Sequence, residues 1–93
     1  MDRRVRIDLD AGRRAREGDR EAFALLVAQT LSPLRAFLAR QLRDRDEVDD
    51  LAQDVYVRAW TKIAELRDGE KVAGWLWRIA RFAASERTRQ RSA

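Results

Sequence analysis

The chain has 93 residues, with 20 Lys and Arg against 16 Asp and Glu, a formal net charge of +4, and neither Cys nor His. That length makes one domain with a modest core, and the missing residue types exclude disulfides, thiolate metal sites, histidine ligands and histidine general bases. No carboxylate pair stands in a sequence that reads as a catalytic pocket, and no run of about 18 apolar residues is present, so neither an enzyme, nor a cofactor, nor a membrane crossing is expected.

Met1 to Leu9 carries Arg3, Arg4 and Arg6 without a period and reads as a basic arm. Arg3-Arg4 is followed by Val5-Arg6-Ile7-Asp8 and not by an apolar stretch, so it is no twin-arginine export signal, and the expected location is the cytoplasm. Asp10 to Glu17 is predicted to be a short helix, capped by Asp10 and closed by Gly18 in a left-handed turn. Asp19 then caps a second helix whose inner stripe is Ala22, Phe23, Leu26, Val27 and Thr30. Ser32-Pro33 interrupts that pattern, with Pro33 suited to a first helical position or to a kink. Leu34, Phe37, Leu38 and Leu42 continue at core spacing to about Arg43.

After a polar link, Asp44-Arg45-Asp46, a helix is predicted from about Glu47 to Glu65. At 100° per residue it places Val48, Leu51, Ala52, Val55, Ala59 and Ile63 on one stripe. Asp50, Gln53, Asp54, Val57 and Thr61 fall opposite, with Tyr56 and Trp60 on the shoulder. Acids, an amide and an exposed Val in one row fit a protein partner, although a solvated helix with its acids near the N-terminus would show the same charges. Leu66 to Gly74, with two glycines and mixed charge, reads as a loop.

A last helix is predicted from near Trp75 to Arg91, with Leu76, Ile79, Ala80, Ala83 and Ala84 inward. Arg78, Arg81, Ser85, Thr88 and Arg89 line up on the far side, Trp77 on one shoulder and Trp75 and Phe82 on the other. Guanidinium groups follow phosphates while flat rings stack on unpaired bases. A helix that buries its three rings and lets its arginines snorkel is the alternative. The charge layout separates the two surfaces: Asp44, Asp46, Glu47, Asp49, Asp50 and Asp54 crowd the middle, and Arg78, Arg81, Arg87, Arg89 and Arg91 crowd the end. An acidic middle suits a basic protein and a basic end suits phosphates. Only Lys62 and Lys71 are lysines, a bias that suits bidentate contacts but that GC-rich coding would also produce.

The run Asp50-Leu51-Ala52-Gln53-Asp54-Val55-Tyr56-Val57-Arg58-Ala59-Trp60 resembles a signature of bacterial sigma factors, especially the extracytoplasmic-function group. Gly18-Asp19-Arg20-Glu21-Ala22-Phe23 and Trp75-Leu76-Trp77-Arg78-Ile79-Ala80-Arg81 resemble two further phrases of the same family. The resemblance implies an all-α fold, a bundle of about four to five helices of the sigma region 2 type over residues 10–91. It implies that Asp50, Gln53, Asp54, Val57 and Trp60 hold the coiled coil of the largest subunit of core RNA polymerase. It implies that Trp75, Trp77, Arg78, Arg81, Phe82, Ser85 and Arg89 meet promoter DNA, the non-template strand of the minus-ten element, and that Arg67, Asp68, Gly69, Glu70 and Lys71 form a loop accepting a flipped base.

An anti-sigma protein covering the same helix is a further implied partner. Phe82 stands where the family has Asn, Glu86 where Asp is common and Thr88 where Leu is common, which bears on base preference, since an amide reads a base edge and a phenyl ring only stacks. Residues 92–93 would begin an interdomain linker, the second, minus-thirty-five-reading domain being absent. The rival readings are a helical protein-interaction module without a nucleic-acid role and a generic binder of double-stranded DNA.

Overall fold

The computed structural model of the protein describes residues 8–92, with side chains for residues 8–90. Four α-helices follow in order: α1 (Leu9–Arg16), α2 (Arg20–Gln41), α3 (Arg45–Lys62) and α4 (Val72–Ser92). Two 3-10 turns, Ile63–Glu65 and Gly69–Lys71, lie between α3 and α4. Helices α2, α3 and α4 pack on one another, and α1 lies across the start of α2 and the two turns. The all-α bundle expected from the sequence is the one observed.

Helices α1, α2 and α3 each start at a carboxylate cap, and two of these three starts differ from expectation. Asp8, not Asp10, caps α1, accepting from the amides of Asp10 (2.9 Å) and Ala11 (3.3 Å). Asp10 sits in the first turn instead, paired with Arg13 at 2.6 Å and Arg14 at 3.5 Å. Of the basic arm, residues 1–7 lie outside the described residues, while Asp8 and Leu9 are the cap and first residue of α1. Gly18, at φ 97, closes α1 as predicted, its amide donating to the Ala15 carbonyl. Asp19 caps α2 through the Ala22 amide (3.1 Å) and also accepts from Arg14 Nε (3.0 Å). Those two bonds, the Ala22 amide first, hold its carboxyl below the ordinary range. Asp44 caps α3, which starts at Arg45, two residues ahead of the expected start.

Ser32-Pro33 does not break the chain: α2 runs unbroken for 22 residues with Pro33 inside it. A proline in a helix interior costs about 3 kcal/mol. Leu26, Thr30, Leu34 and Leu38 are all buried on both sides of it, and each buried leucine contributes about 1.5–3 kcal/mol. Burial therefore outweighs the lost hydrogen bond. Thr30, the buried polar residue among them, gives its proton to the Leu26 carbonyl at 2.8 Å, which leaves the Tyr56 phenol to donate to Thr30 at 2.6 Å. By length and apolar composition alone α2 would also suit a bilayer crossing, but its inner stripe is occupied by the other helices of the domain.

The core has two parts. Leu34, Leu38 and Leu42 of α2 meet Val48, Leu51, Ala52, Val55 and Ala59 of α3 and Leu76, Trp77, Ala80, Ala83 and Ala84 of α4. A smaller group joins Ala11, Ala15, Ala22, Leu26, Ile63 and Val72, and Phe23 and Trp75 border both.

The smaller group depends on a contact between two glycines. A Cβ on Gly12 would stand 2.4 Å from the Gly69 carbonyl oxygen, and one on Gly69 would stand 2.8 Å from the Arg13 Cα. Arg16 adds a bond to the Arg67 carbonyl at 2.8 Å. Because α1 seats the turn there, and Asp68 caps it through the Glu70 amide at 3.0 Å, α4 begins at Val72 and not near Trp75. Gly12→Ala should lower the midpoint of urea unfolding by the equivalent of about 1–3 kcal/mol, the cost of forcing a methyl into a packed site. An unchanged or raised midpoint, as the better helix propensity of alanine alone would give, would show that α1 does not sit on the turn in solution.

Candidate functional site

On α3 the buried stripe is Val48, Leu51, Ala52, Val55 and Ala59, as the periodicity requires. The opposite row is therefore outside. Asp50, Gln53, Val57 and Trp60 are exposed and Asp54 is half-buried. Asp50 and Gln53 have no side-chain hydrogen bond or ion pair with any described residue. Val57 is 57% exposed and Trp60 36%, so the row combines free carboxylate and amide with apolar surface.

Trp60 does not stand alone. Its ring lies 5.0 Å from that of Phe23, and Phe23 meets Tyr56 edge-on at 6.5 Å. Burial pushes the Tyr56 phenol up from its usual value, partly offset by the bond to Thr30.

On α4, Arg78, Arg81, Phe82, Ser85 and Arg89 are exposed, and Phe82 at 59% is the most exposed large apolar side chain described. Trp75 is half-buried between the two parts of the core. Trp77 departs from expectation: it is 7% exposed, packed edge-on against Phe37 of α2 at 5.7 Å. The cause is spacing. Trp77, Ala80 and Ala84 recur at i, i+3 and i+7, and the two alanines leave room on that stripe for an indole. Its N–H has no hydrogen-bond partner among the described residues. Trp77 is thus removed from the exposed set by its place in the core.

Of the five loop residues expected to accept a base, Arg67, Asp68, Glu70 and Lys71 are exposed, and Gly69 is buried beneath α1. The stretch is a capped turn and not an open loop. Between α3 and α4 there is an open cleft of about 370 Å³, lined by Arg58, Lys62, Trp75, Arg78, Ile79 and Phe82. Arg58 reaches Asp54 at 3.0 Å and Glu86 of α4 at 2.8 Å. The Glu86 bond, opposed by burial and reinforced by Asp54, raises its pKa further above the ordinary range.

Arg58 and Lys62 were not singled out as surface residues from the sequence. Their signal was present in the i, i+4, i+8 spacing of Asp54, Arg58 and Lys62, which forms a stripe between the buried and outer faces.

Residues 26–93 match the family described as sigma-70 region 2. The chain belongs to that family. It is 31% identical over 67 residues to the RNA polymerase sigma-H factor of Pseudomonas aeruginosa, covering 72% of this chain and 35% of that one. It is 29% identical over 79 residues to the ECF RNA polymerase sigma factor SigW of Bacillus subtilis, covering 85% and 42%. It is 31% identical over 67 residues to the ECF RNA polymerase sigma-E factor of Haemophilus influenzae, covering 72% and 35%. The chain thus spans between about a third and two-fifths of the length of these curated relatives. No solved structure gives a significant match. The family assignment accords with the resemblance carried by Asp50 to Trp60 and by Trp75 to Arg81.

The aromatic side chains of α4 should separate in a stability measurement. Trp77→Ala is expected to cost about 3–5 kcal/mol, as for other buried rings, and Trp77→Phe less than about 1.5 kcal/mol, since it keeps much of the volume and removes the unpaired N–H. Phe82→Ala should stay within about 0.5 kcal/mol, as surface changes do. Chemical denaturation of the three variants checks this order, and a Trp77→Ala protein as stable as Phe82→Ala would return Trp77 to the surface.

Proposed function

We propose that this chain is the part of a sigma factor that docks on core RNA polymerase and engages promoter DNA at the minus-ten element during transcription initiation. The observation that carries the reading is the pairing of two outward faces of opposite chemistry on adjacent helices: the Asp50, Gln53, Asp54, Val57 and Trp60 row on α3, and the Arg78, Arg81, Phe82, Ser85 and Arg89 row on α4. The family assignment and the names of the relatives support it.

The α3 row suits a basic coiled coil. Carboxylates face cationic side chains, Gln53 can both donate and accept, and Val57 with Trp60 supplies apolar area at the centre of the contact. Aromatic anchors of this kind carry a disproportionate share of interface energy. The same row would be the surface an anti-sigma protein covers, because blocking it blocks polymerase. The α4 row suits the non-template strand once it is unpaired: arginines follow the phosphates, and Phe82 and Trp75 offer faces for bases. Trp77 takes no part in that contact in this reading.

Each stacked base contributes about 1–3 kcal/mol, while unstacking costs a few kcal/mol per step. Docking on polymerase is what makes strand opening favourable, and the domain alone should bind DNA weakly. No bond is made or broken in this scheme. A carboxylate turned into a cation tests the docking step. Asp50→Arg is the informative substitution because Asp50 is exposed and unpaired, whereas Asp54 also holds Arg58. It should abolish co-purification with core polymerase while the helical circular dichroism stays unchanged; retained capture would remove the α3 row from the account.

The salt dependence of DNA binding tests the second face. With about three phosphates neutralised on a single strand, log affinity should fall with log salt at a slope of about −2. A slope of zero, or a preference for duplex over single strands in the presence of polymerase, would overturn the α4 reading.

A further inference from the structure

From the cleft between α3 and α4 we infer that Arg58 and Lys62, which lie on the helix assigned to polymerase, are phosphate-contacting residues of the single-stranded DNA site. The inference rests on the reading of α4 as the DNA helix and adds a second wall to that site. The cleft is lined by Trp75, Arg78, Ile79 and Phe82 of α4 and by Arg58 and Lys62 of α3. A base that enters an open cleft of this kind brings the sugar-phosphate on either side of it to the rim. There the cations stand on both sides, Arg78 on α4 and Arg58 with Lys62 on α3.

The two α3 cations differ in how they are held. Lys62 is exposed and has no ion pair with any described residue, so its ammonium is free to meet a phosphate. Arg58 is fixed by Glu86 on α4 and by Asp54 one turn before it. A guanidinium has five donors in a planar fork. The contacts made use Nη1 for Glu86 and Nη2 for Asp54. Donors remain on both nitrogens and on Nε for a further acceptor, and the bridge sets the direction in which they point. Glu86 is in this respect a positioning residue: it holds Arg58 at the cleft and touches no phosphate itself.

The substitutions follow from those differences. Lys62→Gln removes one cation and disturbs no observed bond. Arg58→Gln alone would leave Glu86 unpaired beside the cleft, so the double variant Arg58→Gln with Glu86→Gln is used to remove the pair at constant net charge.

The probe is a twelve-nucleotide oligothymidylate bound by the 93-residue chain across a salt series. Lys62→Gln should weaken binding about 3–10-fold at low salt and make the slope of log affinity against log salt shallower by about 0.7, the value for one phosphate on a single strand. The double variant should make the slope shallower by a similar amount although its net charge is unchanged, a result that loss of general electrostatic attraction cannot give. Arg78→Gln serves as the reference on α4. If Arg78→Gln makes the slope shallower while Lys62→Gln and the double variant leave it unaltered, the α3 wall is overturned and the α4 reading stands. If all three leave the slope unaltered, the DNA reading of the cleft falls with it.

Discussion

The arrangement depends on how closely α3 and α4 can approach. Ala52, Val55 and Ala59 on one helix and Ala80, Ala83 and Ala84 on the other are all buried in the same part of the core. Side chains this small bring helix axes close and fix their relative rotation, because interiors pack densely and tolerate few voids. Once that rotation is set, the outward faces are set with it. The acid-and-amide row of α3 and the arginine row of α4 are exposed because the alanine seam has taken the opposite sides of both helices, and the Arg58–Glu86 pair closes the seam at its rim.

Preparation for contact is visible on α3 as well. Trp60 is exposed, yet its ring rests on Phe23, which rests on Tyr56, whose hydroxyl is tied to buried Thr30 of α2. A side chain supported in this way has fewer rotamers to lose when a partner covers it, and ordering of interface side chains is one of the larger costs of association. The support reaches α2 directly beside Pro33. This links the middle of α2, with a threonine bonded back to the preceding turn and a proline three residues on, to the outer row of α3.

Much of this was legible from local pattern. The caps at Asp19, the closure at Gly18, the buried stripe of α3 and the outward placement of Arg78, Arg81 and Phe82 each depend on residues within a turn or two of one another, and helical period is enough to find them. What was not legible depends on partners distant in the chain. Pro33 reads as a break or a kink, because only the packing of Leu34 and Leu38 against α3 and α4 shows that continuing the helix is worth its cost. Trp77 looked like a shoulder residue because its neighbour Phe37 lies on another helix, although its register with Ala80 and Ala84 was available. Gly69 looked like a loop glycine, and only the closeness of Gly12 shows why a side chain is excluded there. The tie between Arg58 and Glu86 spans 28 positions and has no sequence signature.

The family-matched segment begins at Leu26, but the structural unit is larger than that footprint. Helix α1 lies wholly ahead of it, and the glycine contact it makes across 57 positions, from Gly12 to Gly69, is what seats the turn from which α4 departs. A chain trimmed to the matched segment would bare Ile63 and Val72, which α1 now shelters together with Ala22, and would leave the first turn of the arginine helix without its backrest. The residues preceding the family's boundary therefore act as a keystone for a surface that lies entirely within it.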